Sequence, residues 1–243
     1  MSTLAWLPAH PNQADDREDE VVRTFFRSIP RSLEFVIVVL VGLGLPFFMG
    51  LLHALNPPDG PPRAVSDSVA LVNALIQAAQ LSLVVALLHQ RDWAIRKLAP
   101  RPDVRGSVVA LGILASDRVL FLLLFVILGA LGHGAHVDAA ATRPLGWSPA
   151  TVISLAVDAL LEETIFTGYV LNYLESSGPA LAIAVSTLLR LSLHLYQGWV
   201  ALPSILSFGL VSALYYSRER QLWPPLLAHF VHNVLVVLQR SGW

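Results

Sequence analysis

Cysteine is absent from this chain of 243 residues, which excludes a disulfide framework, a thiolate nucleophile and a thiolate metal site. Charge is scarce as well. Asp, Glu, Lys and Arg make up 14% of the residues, against roughly 25% in a soluble domain. Hydrophobic residues make up 55%, and the mean hydropathy is +0.62. The fold expected from this balance is an all-α polytopic membrane bundle, because lipid tolerates only backbone that satisfies its own hydrogen bonds. The net charge of −1 says nothing about partners, since charge in such a protein acts through its placement. No feature points to nucleic acid. The first 32 residues are polar, with an acidic cluster at Asp15, Asp16, Glu18, Asp19 and Glu20. They do not read as a cleavable signal peptide, so targeting is expected to rest on the first span.

Two regions are expected, a polar tail over 1–32 and a membrane domain over 33–243. Within the tail, Val21 to Pro30 alternates bulky apolar and basic residues, the pattern of a short helix lying on a membrane surface or of a plain basic linker. Seven hydrophobic segments follow, each compared with the roughly 20 residues a spanning helix needs. They run over about Leu33–Leu52, Val69–Leu88, Val108–Leu131, Pro149–Leu174, Pro179–Gln197, Trp199–Ser217 and Leu222–Leu238. Pro46 is a candidate kink in the first. Basic residues gather on alternate loops: Arg23, Arg27 and Arg31, then Arg91, Arg96, Lys97, Arg101 and Arg105, then Arg218 and Arg220. The positive-inside rule therefore places the N-terminus in the cytoplasm and, after seven spans, the C-terminus outside.

Ionisable residues inside a span cost a few kcal/mol each and are functional candidates by default. Asp117, Arg118, Asp158, Glu162, Glu163 and Arg190 are such residues, joined by His194, His229 and His232. Glu162 and Glu163 stand side by side in the apolar run Leu160–Gly168, and the other groups are read as their partners. Arg190 and His194 are i, i+4 on the fifth helix, and His229 and Asn233 are i, i+4 on the seventh, so each pair shares a face. Three helices carrying polar groups that lipid would not tolerate are expected to turn them toward one water-accessible cavity. At 1.5 Å rise per residue, Glu162, His194 and Asn233 lie at about 20, 22 and 16 Å from the cytoplasmic end, while His229 lies at about 10 Å and would need tilt or a shortened neighbour. Asp117 and Arg118 are expected to neutralise each other or neighbouring helices. His232 lies off the His229 face and is expected to pack or hydrogen-bond to a neighbour. Asp158, one turn before Glu162, either tunes the site or sits at the wetter outer end. Gly168 reads as a close-packing point, and Trp199 and Trp223 as interfacial anchors.

The motifs Glu162-Glu163 with Phe166 and Gly168, Leu193-His194-Leu195-Tyr196-Gln197-Gly198, and Leu222-Trp223-Pro224-Pro225 leading to His229 and Asn233 occur in this order on three helices. Together they resemble the CPBP family, the CAAX prenyl endopeptidases and the bacteriocin-processing or immunity enzymes also called ABI proteins. The resemblance covers about residues 150–240. It departs from the family at two points: Thr167 stands where the first motif has arginine, and Arg190 stands where the second has an aromatic. One reading is that the cation has moved between helices, with Arg190 pairing with Glu163. The other is a degenerate, inactive member.

The resemblance implies an intramembrane endopeptidase, often labelled a metalloprotease, acting on a membrane-associated peptide or protein. By it, Glu162 and His194 activate water, His229 and Asn233 bind the oxyanion, and Glu163 balances charge with Arg190 in support. The residue types suit those tasks, because a buried carboxylate is a better base than one in water and imidazole and amide groups can donate to developing negative charge. Glu162, His194 and His229 are also an acceptable zinc ligand set with an open position, although no H-E-x-x-H helix is present. Two other classes share some of the pattern. Buried carboxylates and histidines serve proton or ion transporters, but no repeated half is found. A non-catalytic scaffold or immunity-like membrane protein fits the loss of the motif arginine. The short loops and compact length suggest a bacterial inner-membrane setting, with membrane lipid as the surrounding partner.

Overall fold

Local sequence signals set where the helices begin. The side chains of Ser66, Asp103 and Ser148 accept from the backbone N–H of Val69, Gly106 and Thr151, capping three helices. Prolines occupy the first turn of one of these helices, at Pro149, and of two others, at Pro179 and Pro203, where a missing N–H costs nothing. The computed structural model describes residues 20–21, 23–56, 65–131, 146–197 and 201–240. Seven main helices stand among the described residues: α1 Arg31–Leu55, α2 Asp67–Gln90, α3 Val104–Ala130, α4 beginning at Pro149, α5 Pro179–Leu193, α6 Leu202–Glu219 and α7 Trp223–Arg240. Each coincides with one of the hydrophobic segments of the sequence, so the chain is an all-α bundle. Residues 23–28 are helical as well, with Phe25 exposed. α1 passes through Pro46 without a break. Trp199 lies outside the described residues.

Three helices are long and apolar enough to cross a membrane by length and composition: Arg31–Leu52, Asp67–Gln90 and Val104–Ala130. Their outward faces carry exposed Leu40, Leu75, Leu111 and Val126, a surface suited to lipid rather than water. α5, Pro179–Leu193, is apolar but shorter. The protein is an integral membrane protein.

α4 is the centre of the bundle. It runs as α-helix from Pro149 to Glu162, as π-helix over Glu163–Val170 and as α-helix again over Leu171–Tyr173. Every residue from Leu161 to Leu171 is buried, so this stretch has neighbours on all sides. α2 and α7 flank its first half, and α1, α5, α6 and α7 all reach the π segment. The approach of α1 is very close: a Cβ on Gly42 would collide with Ile165 Cδ1. Gly168 is the packing point its sequence context suggests, since a Cβ there would meet Leu98 at 3.2 Å and Leu222 at 3.8 Å. Gly178 turns the chain from the short Glu175–Ser177 helix into α5 with a φ of +93°, a conformation in which a Cβ would be strained.

A second buried charge, Glu34, escapes a reading that treats the first span as uncharged after its first turn. It is 1% exposed. Its carboxylate pairs with Arg91 from the end of α2 and accepts from Trp93 Nε1 (3.0 Å) and from the Tyr169 hydroxyl (2.9 Å) in the π segment. Arg91 also donates to the Phe26 carbonyl. One carboxylate thus joins α1, the α2–α3 loop and α4. Removing one partner of a buried pair leaves the other charge stranded, which costs about 3–5 kcal/mol. Glu34→Ala is therefore expected to lower the thermal stability of the detergent-purified protein markedly. The double change Glu34→Ala/Arg91→Met should recover part of that loss, which a melting series of the three proteins would measure.

Candidate active site

Glu162 is the last residue of the α-helical part of α4 and Glu163 the first of its π segment. A π turn is uncommon and tends to occur where side chains must be re-aimed at functional positions. Here it is accompanied by helpers for the backbone: Ser186 of α5 donates to the Phe166 carbonyl (2.8 Å), and Asn172 donates to the Gly168 carbonyl (2.7 Å). Nothing in the hydrophobic pattern of the sequence distinguishes this π stretch from an ordinary apolar helix. The run of polar groups at Glu162, Glu163, Thr164 and Thr167 was the available hint.

Glu163 is fully buried and fully engaged. Arg190 Nη2 donates to its Oε1 at 2.6 Å, His229 Nδ1 to the same oxygen at 2.8 Å, and the Thr167 hydroxyl to Oε2 at 2.5 Å. The cation thus comes from α5, at the position where the family pattern has an aromatic. Thr167, which the sequence presents only as a missing arginine, is itself a partner of Glu163. Its i+4 spacing was a readable signal.

Arg190 is 3% exposed and is held on several sides. Its guanidinium lies 4.8 Å from the centre of the Phe166 ring and 5.4 Å from that of Phe208, close enough for cation–π attraction. Gly209 of α6 leaves room for its stem, since a Cβ there would stand 3.3 Å from Arg190 Cδ. Arg190 Nη1 also lies 3.6 Å from Glu162 Oε2. That distance gives electrostatic attraction without a hydrogen bond, and Glu162 Oε2 is buried with no hydrogen-bond partner among the described residues.

His194 caps the C-terminal end of α5. Its Nδ1 lies 2.9 Å from the Arg190 carbonyl, and because a carbonyl only accepts, Nδ1 carries the proton. Nε2 is then turned to Glu162 Oε1 at 3.8 Å. His229 reaches Glu163 despite its apparent shallow depth because α7 starts inset. Leu222 packs beside Gly168, well before the end of α4, and Trp223 wedges against Gly106 while donating to the Ser107 hydroxyl at 3.0 Å. Trp223 is thus a half-buried packing residue as well as an aromatic at a helix end. Asn233 is half-buried one turn beyond His229, and among the described residues no hydrogen bond joins it to the carboxylates.

The other polar groups divide as follows. Asp117 is neutralised by Arg118 (3.0 Å), accepts from Ser207 (2.5 Å) and faces His232 (3.4 Å), which also meets Arg118. This is the structural cluster that the sequence suggests for Asp117, Arg118 and His232. Phe208 separates it from His229, its ring 5.1 Å from that of His229 and 5.7 Å from that of His232. Asp158 accepts from Gln77 Nε2 of α2 at 2.6 Å, so it points into the bundle.

Among the described residues, no three His, Asp or Glu side chains are grouped to hold a metal ion. The expected ligand set of Glu162, His194 and His229 is divided: His229 spends Nδ1 on Glu163, and the cation that the fold brings to Glu162 is Arg190. The donors do not fit a resident zinc, and no chemical step is derived through one. The structure gathers Glu162, Glu163, Arg190, His194 and His229 from three helices around one point.

No curated protein and no solved structure gives a significant match to the chain. A family model described as type II CAAX prenyl endopeptidase Rce1-like matches residues 144–235, the stretch that contains α4 to most of α7 and every residue of this cluster. Over that stretch, which is less than half of the chain, the sequence and the order of its motifs are similar to those of the CAAX-protease-like membrane proteins.

Proposed function

We propose that this protein is an intramembrane endopeptidase that hydrolyses a peptide bond in a membrane-associated peptide or protein, using water activated between Glu162 and His194. The observation that carries this reading is the 3.8 Å approach of His194 Nε2 to Glu162 Oε1. Both atoms are acceptors, the separation is too long for a direct hydrogen bond, and a water with two O–H donors can bridge them. Glu162 takes a proton from that water as its oxygen attacks the scissile carbonyl. His229 and Asn233, one turn apart on α7, serve as oxyanion donors. For His229 to donate from Nε2 as well as from Nδ1 it must be an imidazolium, and Glu163 supplies the balancing charge. Glu163, Arg190 and Thr167 touch no substrate in this scheme. They fix the position of Glu162 and His229, as positioning residues do. The setting proposed is a bacterial inner membrane, with the N-terminus in the cytoplasm.

One observation favours the inactive reading. A guanidinium 3.6 Å from Glu162 Oε2 stabilises the carboxylate and weakens it as a base. Cleavage of a membrane-peptide library in reconstituted vesicles decides between the two. Glu162→Gln is expected to reduce the rate by about 10²-fold or more with folding intact. Equal rates for wild type and variant would remove the protease reading.

The relocated cation has its own test. Arg190→Phe strands Glu163 in the bundle, and the loss of one partner from a buried pair costs about 3–5 kcal/mol, so activity and yield should both fall. Thr167→Arg/Arg190→Phe restores the family's arrangement and is expected to recover activity. A double variant no better than Arg190→Phe would show that the two positions do not exchange roles. Because Arg190 supplies the positive charge beside the carboxylates, prolonged dialysis against a chelator should leave the cleavage rate unchanged. A loss that zinc restores would bring the Glu162, His194 and His229 ligand set back.

A further inference from the structure

The proposed reaction leaves one half-buried acid of α4 without a task. Asp158 lies one turn before Glu162 on the same face of α4, a spacing that puts the two side chains about 5–6 Å apart at Cβ. Glu162 in turn faces His194 Nε2 at 3.8 Å, so Asp158 stands one turn from the pair assigned to activate water. It is held by Gln77 Nε2 at 2.6 Å, and Gln77 Oε1 is buried with no hydrogen-bond partner among the described residues. Glu162 Oε2, one turn along α4, is likewise buried with no hydrogen-bond partner among the described residues, so each of the two side chains carries an acceptor in want of a donor.

Charge counting leads to the same point. Asp158, Glu162 and Glu163 are three carboxyls, and among the described residues the cations that meet them are Arg190 and the His229 imidazolium, two charges for three acids. A further buried, unpaired carboxylate costs several kcal/mol, and neighbouring carboxyls relieve that cost by sharing a proton. The shared proton belongs to the pair rather than to either member. Hydrolysis needs this composition, one carboxylate to accept a proton from water and one carboxylic acid to give a proton to the departing amine.

Resting on the endopeptidase reading above, we propose that Asp158 is a further catalytic residue: it shares one proton with Glu162 and delivers it to the leaving amine. In the first half of the reaction the water oxygen bonds to the carbonyl carbon and its proton passes to Glu162. In the second half the C–N bond breaks and the proton of Asp158 goes to the amine nitrogen. Passage of the new proton from Glu162 to Asp158 resets the pair, so that the net change is the addition of one water across the peptide bond. Gln77 is a positioning residue. Its amide offers Nε2 to the ionised carboxylate and Oε1 to the acid, and it can therefore hold Asp158 in both states.

The test compares an amide substrate with an ester of the same sequence, whose alkoxide leaving group depends far less on an added proton. Asp158→Asn keeps the shape and the Gln77 contact but removes the transferable proton. The expected result is a fall in kcat on the amide of about 10²-fold or more, a KM within a few-fold of wild type, and a much smaller fall on the ester. Gln77→Leu should lower kcat on the amide less than Asp158→Asn does. Equal losses on amide and ester would reduce Asp158 to a packing role, and wild-type kcat on the amide would end the proposal. Glu162→Gln, run alongside, keeps the two ideas apart. If it is dead on both substrates the endopeptidase reading stands whatever Asp158 does. If it cleaves like wild type, that reading and the Asp158 role fall together. A melting curve of each variant confirms that the loss is not one of folding.

Discussion

A single buried anion organises the functional half of this protein. Glu163 lies at the centre of the bundle, where an unpaired carboxylate would be prohibitively costly, and the fold answers with a guanidinium from α5, an imidazole from α7 and a hydroxyl from its own helix. The first two of those contacts tie the fifth and seventh helices to the fourth. They also explain why Arg190 needs two aromatic faces and a glycine beside it. A long flexible cation is useful as a structural pin only when its stem and head are both confined. Glu162, the proposed base, takes its position from a neighbour that the proposed reaction does not use.

The π segment makes that arrangement possible. An α-helix would continue the ridge set by Thr151, Leu155 and Asp158 without interruption, whereas the wider turn from Glu163 to Val170 re-aims the side chains that follow. Backbone groups disturbed by the change are served by Ser186 and Asn172, so the distortion is stabilised from the neighbouring helix and from the helix itself. At the far end of the segment Tyr169 is tied through Glu34 to Arg91 and to the helix before α1. The segment with the two glutamates is therefore braced by polar contacts at both ends, with apolar packing from Ile165 against α1 between them. Asp117, Arg118 and His232 form a separate neutral cluster on the other side of Phe208.

Much of this was legible in the sequence. The absence of cysteine and the scarcity of charge fixed the class of protein, since every span must satisfy its backbone internally and every buried charge must find a partner. Helix positions followed from apolar runs and turn residues. The i, i+4 pairs Arg190 with His194 and His229 with Asn233 pointed to faces that had to meet, and the uncharged Thr167 made Arg190 a candidate partner for the carboxylates. Each of these conclusions depends on local spacing or on the energetic cost of charge in lipid, which the order of residues alone determines.

Only the tertiary structure decided which carboxylate pairs with which cation, because that depends on how far α7 is inset and on which way α4 turns after Glu162. Helix-depth arithmetic treated His229 as too shallow since it assumed that every helix begins at the same level, whereas α7 starts beside Gly168. The π turn and the inward aim of Asp158 at Gln77 were likewise beyond the sequence pattern. An eight-residue apolar stretch reads alike in α and π form, and a side chain's partner on a distant helix is set by packing rather than by spacing. Glu34 shows the same limit from the other side. At the first turn of a span it looks solvated, and only the fold of Arg91, Trp93 and Tyr169 over it makes it one of the most deeply buried charges in the molecule.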